Sequence, residues 1–259
     1  MGSLTQSGVL ATQYATSVNL NTRISIHERY STNKQGFGNW ITDHYHFPES
    51  ASVLELGCGT GSMWKGKTDL IRRCSRLILS DLSEGMLEKA KETLYTEAGI
   101  EYRAIDIQEI PYPDRTFDAV IANMMLYHVP DLAKGLSEVR RVLKDGGTFC
   151  CATYGENGMM EYIGSLFSGY DIETMVNTGF TLQNGKSVLD SFFSAVEKDL
   201  YPDSLAVTNV EDLADYIFSL SGMTDLRKLP RETVCSVLKR HMKDGVLTVP
   251  KEYGMFIAR

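Results

Sequence analysis

Short apolar runs alternate with helix-spaced segments between residues 51 and 154 of this 259-residue chain. The runs predict five strands, at residues 53–56, 76–81, 101–106, 117–122 and 148–154. Between the last two strands, apolar residues recur every three or four positions and predict a helix over residues 131–143. The Lys144–Gly147 segment is expected to end this helix at its glycines. Strands and helices in alternation are typical of an α/β fold.

The chain beyond residue 154 continues with the same two kinds of pattern. Helices are predicted at residues 157–167 and 186–193 and near 210–221 and 231–244, and strands at 194–201 and 254–258. Residues 155–205 are rich in methionine, phenylalanine and tyrosine. The amphipathic 157–167 helix either covers a pocket as a lid or packs its apolar face into the core, and the pattern leaves both open.

The first strand and the turn that follows it, Val53–Gly61, carry the strongest functional signal. Gly57, Gly59 and Gly61 stand at alternate positions, which suits a backbone with positive φ or a close approach by a ligand. Open α/β sheets bind ligands at such strand ends. Glu55 would repel a pyrophosphate but suits a cationic group. The segment therefore predicts a nucleotide-like ligand with a positively charged part.

Two other interpretations of this turn are a simple packing turn and the dinucleotide fingerprint G-x-G-x-x-G, in which Ser62 stands at the third glycine position. The sequence from Glu55 to Gly61, E-L-G-C-G-T-G, resembles the first motif, E/D-x-G-x-G-x-G, of the class I S-adenosylmethionine-dependent methyltransferases. The resemblance implies that the turn approaches the methionine part of the cofactor. It also implies that Glu55 orients the turn and the cofactor's amino group, and Cys58 is a small residue that fits inside the turn.

Two later strand ends extend this resemblance. A carboxylate about twenty residues beyond a glycine turn is placed to accept both ribose hydroxyls. Asp81 is that residue, and Ser83 after it is a suitable helix cap. The resemblance implies that Asp106 binds the adenine amino group and that the backbone N–H of Ile107 faces a ring nitrogen.

Four further residues complete the site that the resemblance implies. Leu82 and Met86 are expected near the adenosine, and Asn123 and Met124 at the end of the fourth strand, facing the same crevice. The segment at 110–118 is similar to the family's L-P-F-x-D-x-S-F-D approach to that strand.

Residues 1–50 are predicted to form a helical cap over the cofactor site. In many small-molecule methyltransferases a tyrosine of this region closes over the cofactor, which makes Tyr30 the candidate here, with a polar surface loop as the alternative. His128, just past the fourth strand, is the candidate general base, because histidine titrates near neutrality. Its alternative role in the family is to support the loop. Three other candidates for the base are Tyr127, Tyr154 and His27.

Composition bounds the partners and the location. With 43% apolar and 23% charged residues, the chain is expected to be an ordinary soluble protein, without a membrane span or a secretory signal. A net charge of −7 disfavours a nucleic-acid partner. Five cysteines without a C-x-x-C pair predict reduced thiols, no metal site and a cytoplasmic location.

The predicted fold is a three-layer, Rossmann-like methyltransferase fold with a mostly parallel seven-stranded sheet and an antiparallel last strand. Residues 1–50 would form the cap and 51–154 the S-adenosylmethionine-binding core. Residues 155–259 would supply a lid or substrate-shaping insertion and the remaining strands of the same domain. The expected activity is methyl transfer from S-adenosylmethionine to an O, N or C atom of a small molecule, by a monomer or homodimer.

Two alternatives to this activity stay open. One is a methyltransferase that acts on RNA or protein, and the other is a non-catalytic protein that binds S-adenosylmethionine. Residues 123–126 are N-M-M-L in place of the N-P-P-Y signature, which lowers the odds of an adenine or glutamine substrate.

Overall fold

A computed structural model describes residues 17–172, 176–220 and 224–259 of the chain. The chain divides into two units. The sheet unit comprises residues 37–154, 179–200 and 254–259. The helical unit comprises residues 1–36, 155–178 and 201–253, of which 1–16, 173–175 and 221–223 lie outside the described residues.

The sheet unit contains strands β1 to β5 and the ends of two more, which continue into the helical unit. The strands are β1 Ala51–Leu56, β2 Cys74–Asp81, β3 Ile100–Ala104, β4 Phe117–Ile121, β5 Leu143–Tyr154, β6 Val196–Val207 and β7 Leu247–Ala258. Their order in the sheet is β3-β2-β1-β4-β5-β7-β6. The five neighbouring strands β3, β2, β1, β4 and β5 are parallel. Reciprocal hydrogen bonds between Ala195 and Arg259 show the antiparallel course of the last strand. The predicted fold is confirmed.

Nine α-helices occur within the described ranges. They are α1 Ser17–Tyr30, α2 Phe37–Asp43, α3 Thr68–Arg72, α4 Glu84–Thr93, α5 Leu132–Val142, α6 Met159–Leu166, α7 Gly185–Leu189, α8 Val210–Ser219 and α9 Arg231–Arg240. Three-residue 3-10 turns at Ser62–Trp64 and Leu126–His128 and a four-residue one at Asp225–Lys228 complete the order. In residues 17–172, 176–220 and 224–259, no helix combines the length and apolar character that crossing a bilayer requires.

Strand β1 lies at the point where the order of the sheet reverses. The chain passes outward through β2 and β3 on one side of β1 and through β4 and β5 on the other. Because β1 is covered on both faces, five of its six residues are buried, as its near-continuous apolar run requires. The carboxyl end of β1 therefore borders the crevice in which open α/β sheets bind their ligands.

The end of α5 differs from the prediction. The helix stops at Val142, and Leu143 already begins β5, so the Lys144–Gly147 segment lies in the strand and does not cap a helix. The reason is strand pairing, since Leu143 pairs with Phe117 of β4 and the ladder resumes at Thr148 after an irregularity. Gly146, with φ of 75°, supplies the backbone turn at that irregularity.

The last two strands are longer than the sequence predicts. Strands β6 and β7 have twelve residues each, where the pattern predicts residues 194–201 and 254–258. In the helical unit, their extensions pack with α1, α6, α8 and α9 around one apolar cluster. The apolar face of α6 contributes Met159 and Ile163 to this cluster, so within its own unit it forms core.

Candidate functional site

The turn after β1 has a left-handed backbone at each of its three glycines. The φ angles are 72° at Gly57, 55° at Gly59 and 70° at Gly61. Residues with a Cβ adopt this region at a cost, which explains three glycines in five positions. The backbone N–H of Cys58 donates to Ser80 O of β2 at 2.8 Å, which fixes the turn beside the neighbouring strand.

The three glycines differ in what a side chain would meet. A Cβ at Gly57 would lie 2.9 Å from Met125 Cγ, and one at Gly61 would lie 2.9 Å from Leu94 Cδ1. A Cβ at Gly59 would meet no atom within 4 Å among the described residues. Packing therefore accounts for Gly57 and Gly61, whereas the Gly59 backbone faces open space. That is the arrangement expected where a ligand approaches the main chain.

Substituting alanine at Gly61 and at Gly59 should separate these two roles. Gly61→Ala combines a left-handed backbone with a clash against Leu94, so we expect it to lower the free energy of unfolding by about 2–3 kcal/mol. Gly59→Ala carries only the backbone strain, about 1 kcal/mol, but its methyl group projects into the ligand space. Chemical denaturation should rank Gly61→Ala as the less stable, and calorimetry should rank Gly59→Ala as the weaker binder of S-adenosylhomocysteine. The reverse ranking in either measurement would contradict this assignment.

Asp81 joins the glycine turn to the next helix. Its Oδ2 accepts a hydrogen bond from Gly59 N at 3.0 Å and its Oδ1 accepts one from Ser83 N at 2.9 Å. Each carboxylate oxygen keeps a lone pair for a further donor, such as a ribose hydroxyl. Ser83 caps α4 as predicted, accepting from Met86 N at 3.4 Å. Leu82 beside it is exposed at 66% of its surface, and the Met86 side chain is buried.

Asp106 lies in a tight turn after β3. Its Oδ1 accepts from Gln108 N at 2.8 Å, and both carboxylate oxygens lie 3.2 Å from Gln108 Nε2. The Ile107 side chain is buried, with its Cγ1 3.4 Å from the position of a Cβ on Gly135. The side chain of Ile107 is thus fixed in the core of the sheet unit.

Glu55 is held by a buried polar network. Trp64 Nε1 donates to Glu55 Oε2 at 2.6 Å, and Asn123 Nδ2 contacts Tyr45 Oη at 2.6 Å. Asn123 Oδ1 also accepts from Ala152 N at 3.1 Å. Burial raises the pKa of the Glu55 carboxyl from 4.5 to about 7, against the hydrogen bonds from Trp64 and Asn123, which lower it. Burial also raises the pKa of the Tyr45 hydroxyl, so this phenol stays protonated.

Met124 carries backbone strain at the end of β4. Its φ is 55°, in a region that side chains with a Cβ rarely adopt, and its N–H donates to Ala152 O at 2.8 Å. Such outliers cluster at functional sites. The strain turns the chain at the crevice and lets the next residue, Met125, pack beneath Gly57.

His128 lies in the 3-10 turn that follows. Burial lowers the pKa of its imidazole to about 4, so the ring is neutral at pH 7. Its Nδ1 is buried and, among the described residues, has no hydrogen-bond partner. The Tyr127 ring lies 4.5 Å from the His128 ring and 4.6 Å from that of Tyr154. A neutral imidazole with a free nitrogen has the protonation state that a general base needs.

Tyr30 belongs to the helical unit. Its hydroxyl donates to Asp212 Oδ2 at 2.5 Å, and the same carboxylate pairs with Arg29 at 3.2 Å. The predicted closure of Tyr30 over the cofactor concerns both units and stays a prediction.

The sequence interpretation missed Tyr45 and Trp64 as the neighbours of Glu55. Both are buried aromatic residues that carry a polar atom, which is a weak signal, because such residues occur throughout protein cores. Trp64 follows the glycine motif by three residues, and this proximity was the one available hint. Cys58 is buried, and burial raises the pKa of its thiol, so it stays protonated within the turn.

The sequence of this chain is similar to those of known methyltransferases. Residues 54–151 match the sequence model of a methyltransferase domain. The ubiquinone/menaquinone biosynthesis C-methyltransferase of Escherichia coli is 27% identical over 136 residues, which is 51% of this chain and 54% of that protein. The chain thus spans about half the length of the curated relatives it matches.

Solved structures share the whole fold. The [4+2]-cyclase SpnF aligns with a TM-score of 0.59 and 16% identity, over 100% of this chain and 97% of that chain. Phosphoethanolamine N-methyltransferase 2 of Haemonchus contortus, solved with S-adenosyl-L-methionine, aligns with a TM-score of 0.59 and 17% identity, over 100% of this chain and 60% of that chain. At these identities the similarity concerns the fold, and function has to be argued from the site.

Proposed function

We propose that this chain, which belongs to the class I S-adenosylmethionine-dependent methyltransferases, transfers a methyl group from that cofactor to an O, N or C atom of a small molecule. One observation carries the proposal. After the carboxyl end of β1, the Gly59 backbone faces open space, and its N–H donates a hydrogen bond to the Asp81 carboxylate. A left-handed glycine backbone and a carboxylate with spare lone pairs fit a nucleoside with an amino-acid tail.

The chain's own residues would hold S-adenosylmethionine along this edge of the sheet. Asp81 would accept the ribose hydroxyls, and Asp106 with the Ile107 backbone N–H would bind the adenine. Leu82 and Met86 would contact the adenosine. Glu55 would face the positive amino group, and its burial strengthens an interaction with a cation because solvent screening is weak there. The rest of the proposed contact set is the turn residues Gly57, Cys58, Gly59 and Gly61, with Asn123 and Met124 at the end of β4 and Tyr30.

Transfer of a methyl group from a sulfonium needs alignment more than acid–base chemistry. When bound, the cofactor supplies an activated methyl group whose positive charge is dispersed as it leaves. The protein's task is to hold the acceptor atom in line with it and to exclude water. A general base is needed only for an acceptor atom that begins protonated. His128 is the candidate for that step, because its imidazole is neutral and its Nδ1 has no hydrogen-bond partner among the described residues.

Substituting Asp81 by alanine should weaken binding of S-adenosylhomocysteine by about 10- to 150-fold, since hydrogen bonds to a charged group contribute roughly 1.5–3 kcal/mol. The substitution removes the ribose acceptor and the bond that positions Gly59. Isothermal titration calorimetry of the folded variant measures the affinity.

Asp145→Ala is the matched control for this measurement. The Asp145 carboxylate is 73% exposed, and its pair with Arg115 at 3.6 Å lies at the surface, so its loss should leave the affinity unchanged. Equal affinities for wild type and Asp81→Ala would remove Asp81 from the ribose role.

A small-molecule acceptor is the part of the proposal that concerns the substrate. It is supported by the net charge of −7, which is unsuited to a polyphosphate partner, and by N-M-M-L at 123–126 in place of N-P-P-Y. The proposal includes a cytoplasmic monomer or homodimer without a nucleic-acid partner.

Thermal-shift measurement with S-adenosylhomocysteine and with NAD tests the cofactor, because a tight ligand raises the melting temperature. Stabilisation by NAD alone would overturn the proposal.

A further inference from the structure

The helical unit contains a buried ion pair between Lys251 of β7 and Asp203 of β6. The exposed fraction is 2% for the Lys251 side chain and 0% for that of Asp203. The ammonium also donates to Ser31 Oγ, after the end of α1, at 3.0 Å. The pair therefore ties three elements of this unit together.

Asp203 is fully occupied by this arrangement. Its Oδ1 accepts from Asn33 N at 2.9 Å and Ser204 N at 2.8 Å, and Thr32 Oγ1 lies 3.2 Å away. The Lys251 ammonium still has a donor without an acceptor, because it has three N–H groups and the described residues accept two hydrogen bonds from it. One donor is left over in a site that is nearly closed to solvent.

Aromatic rings line the same place. The Lys251 Nζ atom lies 5.1 Å from the centre of the Tyr253 ring and 5.9 Å from that of Tyr201. The His27 ring lies 6.2 Å from the Tyr253 ring and 6.1 Å from that of Tyr216. Tyr253 thus adjoins both the ammonium and the imidazole.

His27 adds a second unused polar group. Its Nδ1 is buried and, within the described residues, has no hydrogen-bond partner. Burial, and to a smaller extent the charge of Lys251, lower the pKa of the imidazole to about 4, against the opposite effect of Asp203. The ring is therefore neutral at pH 7 and offers an acceptor nitrogen in one of its tautomers.

A purely structural ion pair explains only part of this cluster. Lys251 donates to Asp203 and to Ser31, and neither hydrogen bond involves His27. A buried imidazole nitrogen without a partner among the described residues and a buried ammonium with a donor left over are both unfavourable in a protein interior. Both groups lie beside the Tyr253 ring, and the charge of Lys251 acts on the His27 imidazole.

We propose that His27 and Lys251, beside Tyr253, bind the hydroxyl group of a phenol or enol. The ligand's O–H donates to His27 Nδ1, its oxygen accepts the spare N–H of Lys251, and its planar group packs among the tyrosine rings. A hydroxyl on an unsaturated carbon suits this site because it both donates and accepts, whereas a carboxylate only accepts.

The probe that tests this site is 4-nitrophenol, whose anion absorbs visible light and whose neutral form does not. Donation of the O–H to His27 requires the neutral form of the probe, so binding should lower the absorbance of the anion at a pH where the free probe is half ionised. The matched probe 4-nitroanisole has the same ring without an O–H. The probe 4-nitrobenzoate presents a carboxylate in its place.

The variants separate the two groups. His27→Phe keeps a ring and removes the nitrogen, and His27→Asn returns an acceptor near the position of Nδ1. Lys251→Met with Asp203→Asn removes both charges, which avoids an unpaired buried carboxylate. His46→Phe and Lys239→Met, at exposed positions, are the controls.

We expect 4-nitrophenol to bind wild type and both controls, and to bind His27→Phe and the double variant at least tenfold more weakly. His27→Phe should also lose the fall in anion absorbance, and His27→Asn should recover part of the affinity. Equal affinity in all variants would overturn the proposal, and so would equal binding of 4-nitroanisole, tighter binding of 4-nitrobenzoate, or no binding to wild type. S-adenosylhomocysteine titrated into the same samples tests the proposed function separately, because none of the substituted residues belongs to the proposed cofactor contact set.

Discussion

Replacing Lys251 alone by methionine should lower the free energy of unfolding by about 3 kcal/mol, near the lower end of the range for breaking a buried ion pair. The methylene stem keeps its packing, but the Asp203 carboxylate loses its cation while fully enclosed. Its backbone donors from Asn33 and Ser204 remain, and they moderate the loss. Urea denaturation at neutral pH, with the slope compared between variants, measures the difference.

The double variant Lys251→Met with Asp203→Asn makes this prediction specific. Removing both charges should recover most of the lost stability, since the cost arises from the uncompensated carboxylate. Lys239→Met, at an exposed position of α9, should change the stability by no more than about 0.5 kcal/mol. A single variant as stable as wild type would show that water reaches Asp203, and a double variant no better than the single one would show that packing dominates.

Local signals in the sequence were sufficient to predict the glycine turn after β1 and the N-terminal cap of α4. Glycine favours positive φ, which Gly57, Gly59 and Gly61 adopt, and the hydroxyl of Ser83 makes this residue a helix cap. Both features can therefore be predicted without knowing the fold. The bounds of β1 to β4 were predicted to within two residues, and the antiparallel course of the last strand was predicted correctly. The placement of Tyr30 over the cofactor and the roles of the contact residues remain predictions.

Features that depend on distant partners were not predicted. The Lys144–Gly147 segment has the composition of a helix end, but pairing with β4 draws residue 143 into a strand. Likewise, Leu247, Val249 and Lys251 alternate on the buried face of β7. That alternation would have placed Lys251 inside the protein if the strand had been predicted to begin at residue 247. No local pattern, however, identifies its partner Asp203, which lies 48 residues away in the sequence.

Replacing Glu55 by glutamine should remove a pH dependence of stability. The pKa of this carboxyl is about 7 in the folded protein against an ordinary 4.5. A raised folded-state pKa means that the stabilisation is complete below pH 4.5 and is lost as the pH rises through 7. Between pH 5 and pH 8, wild type should therefore lose about 2–3 kcal/mol of unfolding free energy relative to Glu55→Gln. Urea denaturation of both proteins across this range measures it.

Glu88→Gln is the matched control, because the Glu88 side chain is 68% exposed and its pairing with Lys91 contributes little. Its stability should run parallel to that of wild type at every pH. If the Glu55→Gln curve is also parallel, the Glu55 carboxyl is not held protonated by burial.

The same comparison tests what Glu55 does for the cofactor. A positive amino group close to the carboxyl favours its charged form and lowers its pKa. Saturating S-adenosylhomocysteine should therefore flatten the difference in pH dependence between wild type and Glu55→Gln, because Glu55 is then ionised in the folded state across the range. Binding to wild type near pH 6 should also release a proton, which calorimetry in buffers of different ionisation enthalpy detects. An unchanged slope with the ligand bound would mean that Glu55 holds the turn through Trp64 alone and makes no contact with the amino group.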